Sequence, residues 1–385
     1  MSVDQPVQDN SLDAPKPGIG LCLSGGGYRA MLFHLGSIWR LNELSLLGTL
    51  SRISSVSGGS ITSGVLGMNW KALGLSTATP TATPALFKTL LVDPIREMAS
   101  TTVDEGAILG GIFLPGTVAD HVASKYAKIL FGDKTLQDLP SDAEGPRFVI
   151  NATNIQSGKL MRFSRPYMRD FRVGQILNPA LPLARAVGAS SAFPPILSPA
   201  EIDLTKYGLT LAPADGTEDL AHAPYTSRLV LSDGGVYDNL GLETVWKRYD
   251  TVLVSDGGAR FAPDPDPHTD WARHAYRVLD IIDSQVRALR VRQLLASYQD
   301  HARKGTYWGI GQDAATYQIP TPFPCPLDRT SALASIPTRL HAMDPRLQEQ
   351  VINWGYLIAD ISVRKYFNTT DATTPNALPY PNSAI

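Results

Sequence analysis

An α/β fold with a mainly parallel central sheet and helices on both faces is the architecture that this sequence predicts, from two repeated patterns. Short apolar runs end in glycine-rich turns, and each turn opens a stretch with helical spacing. Strands alternating with helices pair in parallel, because each helix supplies a crossover. After Pro263–Pro267 the alternation gives way to long helical stretches. The expected organisation is therefore a disordered arm over 1–17, an α/β domain over 18–260, and a helical C-terminal extension over 261–385 packed on that core.

The elements follow in order. Gly20–Leu23 reads as a buried strand ending at Gly25-Gly26-Gly27, and Tyr28–Leu47 as a helix stopped by Gly48. Ile53–Val56 is a second strand, with a helix from Gly58 onward. Ser76–Pro84, rich in Thr, Ala and Pro, reads as a surface loop. Ala107–Leu114 is apolar and lacks a helical period; it fits a lid or, more simply, a loop packed under the core. Arg147–Thr153 and Leu160–Phe163 read as paired strands around Ser157-Gly158. Asn178-Pro179 fits a helix start, with the helix ending near Ala192. Leu229–Leu231 and Thr251–Ser255 are strands leading into Asp233-Gly234-Gly235 and Asp256-Gly257-Gly258. Beyond these, Asp270–Lys304 reads as one long helix or two broken ones, Pro320–Pro326 as a connector, and Pro345–Lys365 as a further helix.

Composition narrows the function. The 385 residues are 43% hydrophobic and 18% charged, enough to bury a large core. A net charge of -2 argues against a nucleic-acid partner, which selects a basic excess. Cys22 and Cys325 make neither a disulfide framework nor a metal-ligand spacing; Cys22 reads as a buried small hydrophobe. The first residues are acidic and polar, unlike a secretory leader, and no apolar run approaches the ~20 residues of a membrane span. The expected setting is the cytoplasm, with secretion by a leaderless route left open.

Chemistry concentrates at three turns. Ser57 lies in Ser55-Val56-Ser57-Gly58-Gly59, a small-x-Ser-x-Gly pattern on a strand-to-helix turn, which exposes a serine Oγ beside a helix N-terminus. Taken alone, an ordinary turn or an N-cap serine fits as well. Gly25-Gly26-Gly27 with Arg29 can present N–H groups to an oxyanion; it is a poor dinucleotide fingerprint, because Ala30 replaces the last glycine, and it lacks the Lys-Ser/Thr ending of a phosphate-binding loop. Asp233 ends a strand before Gly234 and Gly235, where a parallel sheet places its active site, but Asp256 repeats that context.

Together these segments resemble the patatin-like phospholipase family. Its GGGxR loop matches Gly25, Gly26, Gly27 and Arg29; its G-x-S-x-G matches Ser55 to Gly59, with Ser55 in place of the first glycine; its D-G-[AG] matches Asp233-Gly234-Gly235. Asn151-Ala152-Thr153, Ala189–Pro194 and Asp233–Asn239 continue the resemblance, which runs from about Gly18 to about Ala259 and selects Asp233 over Asp256. The resemblance implies a lipid acyl hydrolase acting on carboxylic esters of phospholipids or related lipids. Ser57 would be the nucleophile, Asp233 its base, and the glycine loop the oxyanion hole, with Arg29 bracing that loop through a carboxylate, the favoured role, or facing an anionic lipid head group. The implied partner is a lipid or membrane-surface substrate; no cofactor or metal is implied, and activity is expected to be metal-independent. Two alternatives stand beside this: an α/β-hydrolase esterase recruiting His268, His274, His301 or His341 to a triad, and a lipid- or protein-binding member of the fold with little turnover.

Overall fold

A computed structural model describes residues 14–77, 81–103, 117–216, 218–367 and 373–385. Its strands join one sheet: β1 (Lys16–Leu23), β2 (Leu50–Ser55), β3 (Arg147–Asn154), β4 (Lys159–Phe163), β5 (Tyr167–Asp170), β6 (Gly174–Leu177), β7 (Ala200–Asp203), β8 (Arg228–Asp233), β9 (Tyr249–Asp256) and β10 (Lys304–Gly309). The order is β10-β9-β1-β2-β3-β4-β5-β6, with β8 also on β3 and β7 on β8. From β10 to β3 all pairings are parallel, as the alternating pattern predicts; from β3 outward they are antiparallel.

The central strands are apolar on both faces because both faces are covered. Leu21, Leu23 and Leu253 enter the larger core with α1 (Gly27–Glu43), α2 (Gly58–Met68) and α6 (Pro345–Tyr366). The intervening Cys22, Val252 and Val254 face the other way, onto Leu240, Leu242, Val245 and Leu294. Cys22 is the buried hydrophobe expected. Its thiol is pushed far up by burial.

Several boundaries differ from the sequence reading. β1 starts at Lys16 rather than Gly20, because Lys16 pairs with Tyr249 across a register shift. α1 stops at Glu43, short of Gly48, where Ser45 turns the chain at φ 55°. Asn178-Pro179 opens no helix: Asn178 takes φ 47°, and α4 (Leu183–Ser190) begins only after Pro182. The hairpin of β3 and β4 forms as expected, and Asp270–Lys304 contains one unbroken helix, α5 (Trp271–Gln299), followed by the sheet strand β10. The segment Ala107–Leu114 lies outside the described residues. α3 (Val118–Tyr126) packs near α4.

The pairing of β8 decides the site. β2 pairs with β3 along Arg147–Ile150 and β8 along Ala152–Asn154, while β4 occupies the other edge. β2 and β8 therefore share one edge of β3 and run toward each other. Asp233 does not end a strand of the parallel set, as its position suggested; it ends an antiparallel strand whose tip meets the tip of β2.

Candidate active site

Ser57 follows β2 and caps α2, with φ 51° and ψ -121°. For a residue other than glycine this conformation costs about 1–3 kcal/mol and persists only if its surroundings hold it. Several bonds do so. The Ser57 N–H donates to Ser190 Oγ at 3.0 Å, and Ser190 Oγ donates to the Asn151 carbonyl at 2.6 Å. Ser60 Oγ lies 2.9 Å from Ser190 Oγ and donates to Ser55 Oγ at 3.1 Å. Ser55, which stands where the motif has glycine, is thus absorbed into a buried hydroxyl cluster. Ser190 is a positioning residue that the sequence reading missed, although it lies in the quoted Ala189–Pro194 block.

Asn151-Ala152-Thr153 ties the two strand tips together. Asn151 Nδ2 donates to Ser54 Oγ at 3.0 Å and to the Ser55 carbonyl at 2.9 Å, both on β2. Ala152 pairs with Asp233, whose carbonyl accepts from Thr153 Oγ1 at 2.8 Å.

Asp233 is buried. Its Oδ1 accepts the Gly235 N–H at 2.7 Å, and among the described residues Oδ2 has no hydrogen-bond partner. Burial lifts its pKa to about 7, against the pull of the Gly235 N–H and the neighbouring Ser57 side chain. Asp256, in the matching Asp-Gly-Gly context, is engaged elsewhere. Arg287 donates to its Oδ2 from Nε at 3.0 Å and from a terminal nitrogen at 2.7 Å, and Tyr307 OH donates to the same oxygen at 2.7 Å. Burial opposes its ionisation, yet these partners hold its pKa below the usual carboxylate range.

The glycine loop lies against Ser57. A side chain at Gly25 would meet Asn239 Oδ1 at 2.3 Å and Ser57 Cβ at 3.3 Å, and one at Gly58 would meet the Gly27 carbonyl at 2.1 Å. The Gly25 N–H is already given to the Asn239 carbonyl at 3.0 Å, so the three glycines do not all offer donors. Among the described residues the N–H groups of Gly26, Gly27 and Gly58 make no hydrogen bond. Arg29 is buried; its guanidinium donates to the Gly257 carbonyl at 3.0 Å, to Thr338 Oγ1 at 3.0 Å and to the Ile336 carbonyl. It braces the loop through carbonyls and a hydroxyl, not the expected carboxylate. Burial among these neutral groups draws its pKa down to about 10.

Two clefts meet at Ser57. One, of 450 Å³, is lined by Gly26, Asp233, Arg260, Asp280, Arg287 and Arg339 among others. The other, of 570 Å³, is apolar, lined by Gly27, Phe193, Pro194, Ile196, Tyr276 and Leu340 among others. None of the seven histidines lines either cleft. His34 is buried, 2.9 Å from the Ser24 carbonyl and 2.8 Å from Ser255 Oγ, and burial lowers its pKa to about 4. His268, His274, His301 and His341 are exposed. Among the described residues no group of His, Cys, Asp and Glu side chains is arranged to hold a metal ion, and no helix is long and apolar enough to cross a membrane.

The family profile of patatin-like phospholipase matches residues 21–246. No curated protein matches the sequence. Among solved structures, human GIVD cytosolic phospholipase A2 is similar at 16% identity and a TM-score of 0.39, over 68% of this chain and 51% of that one. VipD from Legionella pneumophila is similar at 16% identity and a TM-score of 0.37, over 89% of this chain and 66% of that one. The chain thus spans about half the length of the human phospholipase it matches. The profile takes in the glycine loop, the Ser57 turn, the Asn-Ala-Thr strand and Asp233, the same parts that the fold gathers around two clefts, and on that match the chain belongs to the patatin-like phospholipase family.

Proposed function

We propose that this protein is a lipid acyl hydrolase of the phospholipase A type, working through a Ser57–Asp233 dyad on carboxylic esters of phospholipids or related lipids. The observation that carries this reading is the buried Asp233 carboxyl beside a strained Ser57, at the junction of a polar and an apolar cleft without a histidine. Ser57 Oγ attacks the ester carbonyl while its proton passes to Asp233. A pKa near 7 suits that work, because a base matched to the ambient pH is both ionised and willing to take a proton. The tetrahedral oxyanion is held by the open N–H groups of Gly26, Gly27 and Gly58, at the N-termini of α1 and α2. Each such donor is worth about 10²–10³ in rate. Asp233 then returns its proton to the leaving alcohol, and activates the water that frees the fatty acid from Ser57. The apolar cleft receives the acyl chain and the polar cleft the head group.

The test combines fluorophosphonate labelling with hydrolysis of a lipid panel. Wild type labels and releases fatty acid; Ser57→Ala does neither, with hydrolysis down by about 10³-fold or more. Asp233→Asn keeps its fold but labels far more slowly. A wild type that resists the probe while its panel stays intact would leave a binding protein of this fold instead.

A further inference from the structure

Helix α5 is built inside out. A helix on the surface of a water-soluble protein turns its apolar stripe inward and its charges outward. On α5, Asp280, Asp283, Ser284 and Arg287 line the polar cleft, while the apolar residues look outward. Trp271, Val278, Ile282, Val286 and Leu289 recur at helical spacing, with Leu279 beside them. Trp271 is 86% exposed, Leu279 57%, Ile282 53% and Leu289 58%. The stripe carries no charged residue and runs roughly 27 Å from Trp271 to Leu289. Leu294 is the one fully buried side chain of the helix.

We propose that this outward face is a docking surface for an anionic lipid bilayer, and that docking sets the mouth of the apolar cleft against the acyl chains. Two observations favour a bilayer as occupant. First, the face is continuous with the site: Ala272 and Tyr276, from the N-terminal turns of α5, line the apolar cleft together with Phe193 and Ile196, which are themselves exposed. Second, the charge is complementary. Arg292 is exposed at the border of the stripe and Arg273 is exposed near its tryptophan end, where it pairs with Asp270; Asp280 and Asp283 line the polar cleft, and Arg287 and Arg290 reach inward to Asp256 and to Asp238 and Glu243. An apolar stripe ending in tryptophan on an arginine-rich helix suits the interface of a membrane with negatively charged head groups. The proposal rests on the lipid-hydrolase reading for its purpose, but not for its test.

The full chain carrying Ser57→Ala is floated with vesicles of phosphatidylcholine alone, and of phosphatidylcholine mixed with phosphatidylglycerol. It is expected to rise with the mixed vesicles, and raising the salt is expected to weaken that binding. Adding Ile282→Asp and Leu289→Asp should lower the bound fraction at least about tenfold. The same pair in the Ser57 background should leave hydrolysis of a soluble short-chain ester unchanged, since neither residue lines a cleft. Equal vesicle binding with and without the pair would overturn the proposal. So would a dimer, seen by light scattering, that the pair splits while vesicle binding stays the same, because the face would then belong to a second copy. Vesicle binding by a wild type that hydrolyses no ester would support docking and sink the hydrolase reading alone.

Discussion

Asp233 is the residue whose chemistry the fold changes most. An aspartate in water is a weak base, with a pKa of about 3.9. Burial at the tip of β8 lifts it to about 7. Two consequences follow. The kcat/KM for a neutral ester should rise with pH through about 7, and Asp233→Asn should lack that limb; a flat wild-type profile across that range would refute the dyad. The second concerns stability. Because the folded pKa lies above the unfolded one, the native state holds an extra proton between about pH 4 and 7, and stability falls as pH rises across that window. Each unit of separation is worth about 1.4 kcal/mol. Asp233→Asn should therefore be more stable than wild type above pH 7, with the difference shrinking toward pH 4 in thermal melts. Most of these residues were legible in the sequence, because the turns of Ser57, Gly25–Gly27 and Asp233 are local motifs. Ser190 was not, since a serine within a helix signals nothing until Asn151 and Ser57 are brought to it.

Among the elements, α5 depends on one buried ion pair. Arg287 bonds to Asp256 and to the carbonyls of Gly258 and Ala259, and Tyr298 OH donates to the Val252 carbonyl at 2.7 Å. The second Asp-Gly-Gly turn thus acts as the anchor of the helix that roofs the polar cleft, a role that no local pattern announces. Arg287→Met leaves Asp256 buried without its cation and should cost about 3–5 kcal/mol in urea denaturation. Asp256→Asn with Arg287→Met should recover much of that loss; a double variant as unstable as the single one would argue that the charge pair is not what holds α5. The ends of elements were the least legible part. Asn178-Pro179 has the chemistry of a helix start, but α4 waits for Leu183, because the intervening chain first pairs with Lys134–Leu136: Pro182 bridges Thr135, the Leu136 N–H donates to the Leu181 carbonyl at 3.0 Å and the Leu183 N–H to the Lys134 carbonyl at 2.8 Å.

At the scale of the whole molecule, the candidate active site is completed by residues far beyond the family's matched span. Arg29 bonds to Ile336 and Thr338, the Tyr28 N–H to the Arg339 carbonyl, and Pro337–Leu340 line the clefts at Ser57. α6 carries this segment by packing on α1, and two glycines set how closely. A Cβ at Gly36 would sit 1.9 Å from the Ile352 carbonyl oxygen, and one at Gly355 2.0 Å from that of Phe33. Ser37 Oγ closes the crossing with a bond to the Gly355 carbonyl at 3.0 Å. Helix propensity alone makes Gly355→Ala stabilising by about 1 kcal/mol. The clash with backbone reverses the sign, and a loss of about 1–3 kcal/mol is expected in urea denaturation; a gain would show that the crossing relaxes freely. By itself the sequence determined the alternating α/β pattern, the Ser57 turn and the glycine loop, because each depends on residues close together in the chain. Only the tertiary structure decided that β8 meets β2 head to head, that Asp256 is tied to Arg287 and Tyr307, and that α5 shows its apolar face outward. Those outcomes depend on pairing and burial between segments that lie far apart in sequence, and burial is what lifts the carboxyl beside Ser57 into the range that the proposed base requires.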